Sequence, residues 1–168
     1  MKTYGDFAAV AGIDLDIAQG ESFGLLGPNG AGKSTTMRML TATLQRTSGD
    51  LTILGHDPAR EGPLIRSYLG VVPQEDNLDT ELTVAENLYT YGRYFGLPRR
   101  DLLARVPQLL EFAQLTDRRD AKVDSLSGGM KRRLTIARGL INDPPLVLLD
   151  EPTTGLDPQA RHVLWDRL

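Results

Sequence analysis

The segment Gly27-Pro28-Asn29-Gly30-Ala31-Gly32-Lys33-Ser34-Thr35 decides the fold of this chain. It matches the phosphate-loop pattern G-x-x-x-x-G-K-[ST]. An apolar run over residues 21–26 predicts a strand before it, and an apolar stripe over residues 33–44 predicts a helix after it. Backbone N–H groups of such a turn, together with the helix N-terminus, form a site for phosphate oxygens. The sequence therefore predicts that the protein binds a nucleoside triphosphate.

Two side chains of this loop have predicted roles of their own. Lys33 supplies a full positive charge to the β- and γ-phosphates, and the hydroxyl of Ser34 suits Mg²⁺. Glycines let the backbone approach phosphate where a Cβ would clash or where φ must be positive. The predicted nucleotide-binding residues here are Asn29, Gly30, Ala31, Gly32, Lys33, Ser34 and Thr35.

Length and composition narrow the class of protein. The 168 residues, 40% of them hydrophobic, suffice for one core. A net charge of −3 argues against a dedicated nucleic-acid binder. The absence of cysteine excludes disulfides and Cys-based metal sites. Since no run reaches the roughly 18 apolar residues of a membrane span, we expect any membrane contact to go through a partner.

The rest of the chain alternates strand and helix patterns. Apolar alternation or short apolar runs predict strands over residues 8–17, 49–54, 69–72 and 146–149. Residues 83–112 have a helical pattern that Pro98 divides into two helices. The sequence thus predicts an α/β core that contains an inserted helical block.

The predicted strand 146–149 ends in two adjacent carboxylates. Ligands bind at the carboxyl ends of parallel strands. Asp150 is therefore a candidate for the Mg²⁺ site beside Ser34, and Glu151 is a candidate general base for the attacking water.

A second glycine pair precedes the predicted helix 131–141. Ser127 is suited to be its N-cap. Ser127, Gly128 and Gly129 also form a possible second anion site, which we expect to serve a neighbouring subunit's nucleotide. The basic residues Lys131, Arg132, Arg133 and Arg138 are expected to form a solvated helix face rather than a nucleic-acid patch.

These motifs together resemble the ATP-binding cassette, the motor domain of ABC transporters. The loop 27–35 corresponds to Walker A, residues 146–151 to Walker B, and residues 126–130 to the family signature. Gln74 matches the glutamine loop, and Thr154-Gly155-Leu156-Asp157 matches the D-loop. Tyr4, 29 positions before Lys33, matches an aromatic that stacks on adenine.

The resemblance implies a P-loop NTPase (RecA-like) fold with an N-terminal antiparallel β portion. Residues 1–74 and 125–168 would form this core, and residues 75–124 an inserted α-helical subdomain. It implies Mg²⁺-dependent ATP hydrolysis with Lys33, Gln74 and Glu151 as catalytic residues. Ser34, Gln74 and Asp150 would bind the metal, and two subunits would pair head to tail around two ATP molecules.

The amino-acid sequences of these motifs resemble those of exporter ATPases of the daunorubicin-resistance and nodulation-factor type. Those work with a separate permease, which implies a position on the cytoplasmic side of the cell membrane. Met130 stands where most cassettes have glutamine. The transported substrate stays open: drug, lipid, polysaccharide or glycolipid.

Two alternatives from other classes remain. One is a soluble cassette ATPase that acts on ribosomes or DNA. The other is a non-catalytic nucleotide sensor, against which the retention of Lys33, Asp150 and Glu151 argues.

The family's switch histidine follows a later strand and does not match His162. The resemblance therefore implies a domain truncated at both ends, which we expect to be inactive by itself.

Overall fold

The computed structural model of the chain describes residues 1–152. They fall into two compact units, Met1–Ser67 and the part from Tyr68 onward. The predicted D-loop at residues 154–157 and His162 lie outside the described residues.

The first unit contains a small antiparallel sheet and two helices. Strands β1 (Lys2–Tyr4) and β2 (Phe7–Val10) pair antiparallel, with Tyr4 opposite Phe7. Helices α1 (Lys33–Leu40) and α2 (Pro58–Tyr68) follow. The antiparallel β portion predicted at the N-terminal end is thus confirmed.

Helix α2 was not predicted from the sequence. Proline is favoured as the first residue of a helix, and α2 begins at Pro58. The carboxylate of Asp57 accepts a hydrogen bond from the Ala59 N–H at 2.9 Å, as an N-cap does. Asp57 also binds both terminal nitrogens of Arg46, at 2.6 and 3.1 Å. These hydrogen bonds, with the one from Arg46 foremost, lower the pKa of Asp57 to about 2.

Three predicted strands of this unit are wrong in whole or in part. Residues 11–18 and 21–26 belong to no strand, and residues 49–54 contribute only an isolated bridge between Ile53 and His56. The apolar side chain of Leu26 is 92% exposed. Alternation specifies which face of a strand would be buried, but a ladder also needs a hydrogen-bonding neighbour. The described residues of the first unit offer none to these segments.

The second unit is built on a parallel strand pair. Strand β3 (Leu69–Val72) pairs with β4 (Leu146–Leu149), so that Leu69 lies opposite Leu146 and Val72 opposite Leu149. Both strands match their predicted bounds. Because the strands are parallel, the residues that follow Val72 and Leu149 emerge at the same edge.

Three α-helices pack in the described part of this unit. Helices α3 (Val84–Tyr94) and α4 (Arg99–Phe112) agree with the predicted helical block, and α5 (Gly128–Gly139) begins three residues before the predicted helix. Thr83 and Glu86 form a reciprocal capping box at the start of α3. The backbone N–H of Thr83 donates to Glu86 and lowers the pKa of that carboxyl group.

One hydrophobic core joins α3, α4 and α5. Its fully buried members include Val84, Leu88, Leu102, Leu134 and Ile141. Helix α5 also lies directly on β3, since a Cβ on Gly70 would be 2.4 Å from the carbonyl oxygen of Gly139. This close approach fixes α5 against the strand that leads to Gln74. No described helix is long and apolar enough to cross a membrane.

Candidate nucleotide-binding and hydrolysis site

The junction between the phosphate loop and α1 requires a glycine. Gly32 is the N-cap of α1, with φ of 87°, and has no side chain to cap the helix. A Cβ at this position would be 2.4 Å from the carbonyl oxygen of Ala9 and 3.0 Å from a methyl of Val10. The N–H groups of the first turn of α1 therefore have no side-chain cap, as an anion site needs.

Lys33 lies folded across its own loop. Its ammonium group donates to the carbonyl oxygens of Gly27 at 2.7 Å and Pro28 at 2.9 Å. Ser34 is exposed, as are the preceding residues Asn29, Gly30 and Ala31, whereas Thr35 is half-buried. An ammonium group, a hydroxyl and backbone N–H groups are suitable donors and ligands for phosphate and Mg²⁺.

The predicted adenine-stacking residue is at the surface of the first unit. Tyr4 is 48% exposed, and the ammonium nitrogen of Lys2 lies 5.1 Å from its ring centroid. A ring exposed to this degree is able to offer a face to a base. The stacking role of Tyr4 stays a prediction.

The carboxyl ends of β3 and β4 bring two predicted site residues together. The side-chain amide of Gln74 donates to a carboxylate oxygen of Glu151 at 3.0 Å. The backbone N–H of Asp150 donates to the carbonyl oxygen of Val72 at 2.9 Å, which extends the strand pairing by one residue. Glu151 has φ of 46°, a left-handed conformation that is uncommon outside glycine. We call residues 73–76 and 150–152 the acid edge.

The predicted solvated face of α5 is wrong at two of its four basic residues. Arg132 and Arg138 are only 2% and 7% exposed. Lys131 and Arg133 remain half-buried and contact Asp124 and Gln114. The physical reason is that Arg132 and Arg138 find carbonyl partners on residues far away in sequence, which periodicity along one helix does not reveal.

Arg132 binds the acid edge through all five of its N–H donors. Its acceptors are the backbone carbonyl oxygens of Pro73 (2.5 Å), Gln74 (3.2 Å), Asp150 (3.2 Å), Glu151 (3.1 Å) and Pro152 (3.0 Å). The carboxylate of Asp76 lies 3.5 Å from the same guanidinium group. This role of Arg132 was not predicted from the sequence. The signal available in the sequence was the helical spacing of Arg132, Thr135 and Arg138, which indicates one shared face of α5.

Two further side chains on the same face of α5 bind the segment after Gln74. The hydroxyl of Thr135 donates to Asp76 at 2.9 Å. Arg138 donates to the carbonyl oxygen of Asn77 at 2.8 Å and to the Asn77 side chain. Its guanidinium carbon lies 4.6 Å from the ring centroid of Tyr91 in α3. Burial lowers the pKa of Arg138, while Tyr91 and Asp76 oppose that effect.

Ser127 caps the N-terminus of α5, which confirms the first of its two predicted roles. The hydroxyl of Ser127 accepts a hydrogen bond from the Met130 N–H at 3.3 Å. A Cβ on Gly128 or Gly129 would meet nothing within 4 Å. Packing within the chain therefore gives no reason for glycine at these positions, and the second anion site stays a prediction.

No described group of three or more His, Cys, Asp or Glu side chains is arranged to hold a metal ion. Proteins usually bind Mg²⁺ through one or two oxygen ligands together with substrate phosphates. Ser34, Gln74 and Asp150 supply such oxygens, so the residue types fit the ion.

The sequence profile of the ABC transporter family matches residues 10–154. The chain belongs to the ABC transporter family. It is 57% identical to Nod factor export ATP-binding protein I of Cupriavidus metallidurans and 56% identical to the protein of that name in Rhizobium meliloti, over 99% of this chain. The matches cover 55% and 50% of those proteins, so the chain spans about half the length of the relatives.

Solved structures confirm the P-loop NTPase fold. The ATP-binding cassette MJ0796, in a dimeric post-hydrolysis state bound to ADP and Pi, matches with a TM-score of 0.83 at 30% identity. The match covers 94% of this chain and 72% of that one. A further dimeric structure of MJ0796, described as a bacterial ABC transporter cassette, matches with a TM-score of 0.81 at 30% identity and the same coverage.

Proposed function

We propose that the full-length protein hydrolyses ATP and thereby drives an ABC exporter. The observation that carries this proposal is the 3.0 Å contact between Gln74 and Glu151 at the ends of two parallel strands. A nucleotide-binding module without hydrolysis has no need for an amide and a carboxylate held together there. The phosphate loop in the same chain supplies the groups that suit ATP.

The proposed roles follow from the chemistry of each residue. Lys33 and the N–H groups of the loop bind the β- and γ-phosphates, with the loop residues listed above around them, and Tyr4 stacks on adenine. Ser34, Gln74 and Asp150 would hold Mg²⁺, which would neutralise charge on the phosphates. Glu151 accepts a proton from the attacking water. Gln74 orients the Glu151 carboxylate and that water.

Two copies are proposed to pair head to tail, so that Ser127, Gly128 and Gly129 of one copy contact the nucleotide of the other. The open space around both glycines and the dimeric cassette structures support this arrangement. Residues 75–124 would form the helical subdomain, which presses on a membrane permease from the cytoplasmic side. The exporter role is supported by the names of the relatives, whereas no described residue favours a cassette that acts on ribosomes or DNA.

The test is Glu151→Gln in the full-length protein, with Asp150→Asn beside it. E151Q keeps the shape of the side chain but removes the base. It should therefore bind ATP normally and lose about 100-fold or more of its turnover. ATP should also trap a dimer that light scattering detects. D150N should instead damage the Mg²⁺ site and raise the Mg²⁺ concentration that half-maximal turnover needs. Turnover of E151Q at the wild-type rate would assign the base elsewhere.

The pairing has a test of its own. Ser127→Arg places a bulky cation at the exposed N-terminus of α5 and should abolish ATP-dependent dimer formation. Met130→Gln should change turnover only slightly, because Ser127 and the glycine N–H groups remain. Loss of activity in M130Q with a silent S127R would contradict the proposed contact.

A further inference from the structure

We propose that Arg132 is a positioning residue for ATP hydrolysis, which sets the geometry of Gln74 and Glu151 through their backbone. The inference rests on the proposed function. Arg132 touches neither nucleotide nor water in this role. It acts by joining the two halves of the acid edge.

The geometry of the network carries the proposal. Residues 73–76 follow β3 and residues 150–152 follow β4. Beyond the strands, the two segments are linked by the Asp150–Val72 hydrogen bond, by the Gln74–Glu151 hydrogen bond and by Arg132. The guanidinium group has five N–H donors in one rigid plane. Each has a carbonyl partner, two on the first half and three on the second. No donor is left over, so the two halves cannot shift relative to each other without stretching a bond.

The chemistry of the partners singles out arginine. A lysine in the same place has three donors that radiate from one nitrogen, which cannot match five acceptors in a plane. The Arg132 side chain is only 3% exposed, and the carboxylate of Asp76 lies 3.5 Å from its guanidinium group. Backbone dipoles therefore provide most of its neutralisation. A buried cation held in this way is costly unless every donor is satisfied, and here every donor is.

Arg132 positions Gln74 and Glu151 because it binds the backbone of both residues. The carbonyl groups that Arg132 binds include those of Gln74 and Glu151, the pair whose side chains meet at 3.0 Å. A base works only within hydrogen-bond reach of the water it activates. Displacement by about 1 Å is enough to cost about 100-fold in rate. The carbonyl groups that Arg132 binds all belong to the acid edge, so loosening it should affect the chemical step and spare nucleotide binding.

The experiment compares Arg132→Lys with Arg133→Lys in the full-length protein. Arg133 is the next residue on α5 and binds the side chain of Gln114, which is not part of the acid edge. Rates are divided by the amount of nucleotide bound at saturation, so that unfolded protein does not count. We expect R132K to lower kcat about 10- to 100-fold with KM for ATP within about threefold of wild type. R133K should match wild type in both.

A double-mutant cycle with Glu151→Gln distinguishes positioning from general destabilisation. If Arg132 acts through Glu151, adding R132K to E151Q should change single-turnover hydrolysis less than about twofold, because the base is already gone. A merely structural role would lower the rate of E151Q by the same factor as that of wild type. Should R132K give too little folded protein, Arg132→Gln leaves no unpaired buried cation and has the same expected outcome.

Three results would overturn the proposal: kcat of R132K within twofold of wild type, an equal loss in R133K, or fully additive effects with E151Q. Wild-type protein that does not hydrolyse ATP would refute the proposed function instead, before Arg132 is tested.

Discussion

The phosphate loop and the acid edge are held in opposite ways. The loop is exposed over residues 27–31 and is stabilised by its own atoms, with the Lys33 ammonium bound to the carbonyl oxygens of Gly27 and Pro28. The acid edge is fixed from behind by Arg132, a side chain that is 3% exposed and binds five carbonyl groups. The Lys33 contacts of the phosphate loop are with nearby backbone, whereas the acid edge is held by a residue distant in sequence.

This difference has a functional meaning. A site that binds a flexible polyanion benefits from donors that can exchange internal partners for phosphate, as is proposed for Lys33. A site that activates water benefits from groups already in place, since reorganisation during the reaction would raise the barrier. The contrast predicts that substitutions in the loop change affinity or local strain, whereas those at the acid edge change rate.

The largest effect expected in the loop is that of Lys33→Ala. The substitution removes a full charge and its hydrogen bonds to phosphate, and each charge-assisted bond contributes about 1.5 to 3 kcal/mol. We expect ATP affinity to fall about 100-fold, as measured by titration with a fluorescent ATP analogue. The fold itself should change little, because the carbonyl groups that Lys33 binds are exposed to water.

Arg38→Ala is the matched control for this experiment. Arg38 is exposed in the last turn of the same helix, α1. The variant removes the same charge but no loop contact. An equal loss of affinity in both variants would mean that overall charge, and not the loop, determines binding.

A smaller effect, on stability, is expected from Gly32→Ala. The left-handed backbone at φ of 87° is strained for alanine, and the new Cβ would clash with the carbonyl oxygen of Ala9. Strain and clash together should lower the free energy of unfolding by about 2 kcal/mol, measured by urea denaturation without nucleotide.

Gly30→Ala separates the two causes. Gly30 has φ of 82°, yet a Cβ there would meet nothing within 4 Å. Only the strain applies, so the expected loss is about 1 kcal/mol. Equal losses in G30A and G32A would show that the contact with Ala9 does not shape the loop.

The smallest effect concerns pH and contrasts two arginines. Arg46 binds both oxygens of a carboxylate, Asp57, whereas Arg132 binds mainly carbonyl groups. Because the pKa of Asp57 is lowered from 3.8 to about 2 in the folded protein, its charge stabilises the fold above pH 3.8 and ceases to do so as the pH falls towards 2. Asp57→Asn should therefore lower the urea midpoint by a constant amount above about pH 5 and by less at about pH 3.

The pH dependence is decisive for this prediction. Asparagine keeps an oxygen for the Ala59 N–H, so the helix cap persists and only the charge is removed. A difference between D57N and wild type that is the same at both pH values would show that the charge of Asp57 does not contribute.

Several elements were predictable from the sequence because their signals are local. The strand 69–72, the strand 146–149 and the two helices after Thr83 and Pro98 agree with the structure within one or two residues. A capping box, a proline and a continuous apolar run each act on neighbouring residues. The phosphate loop was predictable for the same reason.

The remainder depends on partners that the sequence does not name. The strand predicted over residues 21–26 has the right composition but no neighbour in the described part of its unit. Arg132 and Arg138 carry charge and are expected at the surface, but their acceptors lie 18 to 61 residues away along the chain. The contact between Gln74 and Glu151 joins residues that are 77 positions apart in the sequence. Such pairings are set by tertiary structure.

Helix α5 also has a mechanical consequence. Its 12 residues form a rod about 18 Å long, since each residue adds about 1.5 Å. Ser127 stands at one end, Arg132 near the middle and Arg138 near the other end, against Tyr91. An event that tilts this rod at Ser127 also moves the anchors of Glu151 and of α3. If the proposed nucleotide contact at Ser127 is coupled to α3 in this way, thermodynamic reciprocity requires that a partner bound at α3 and the nucleotide change each other's affinity by the same factor.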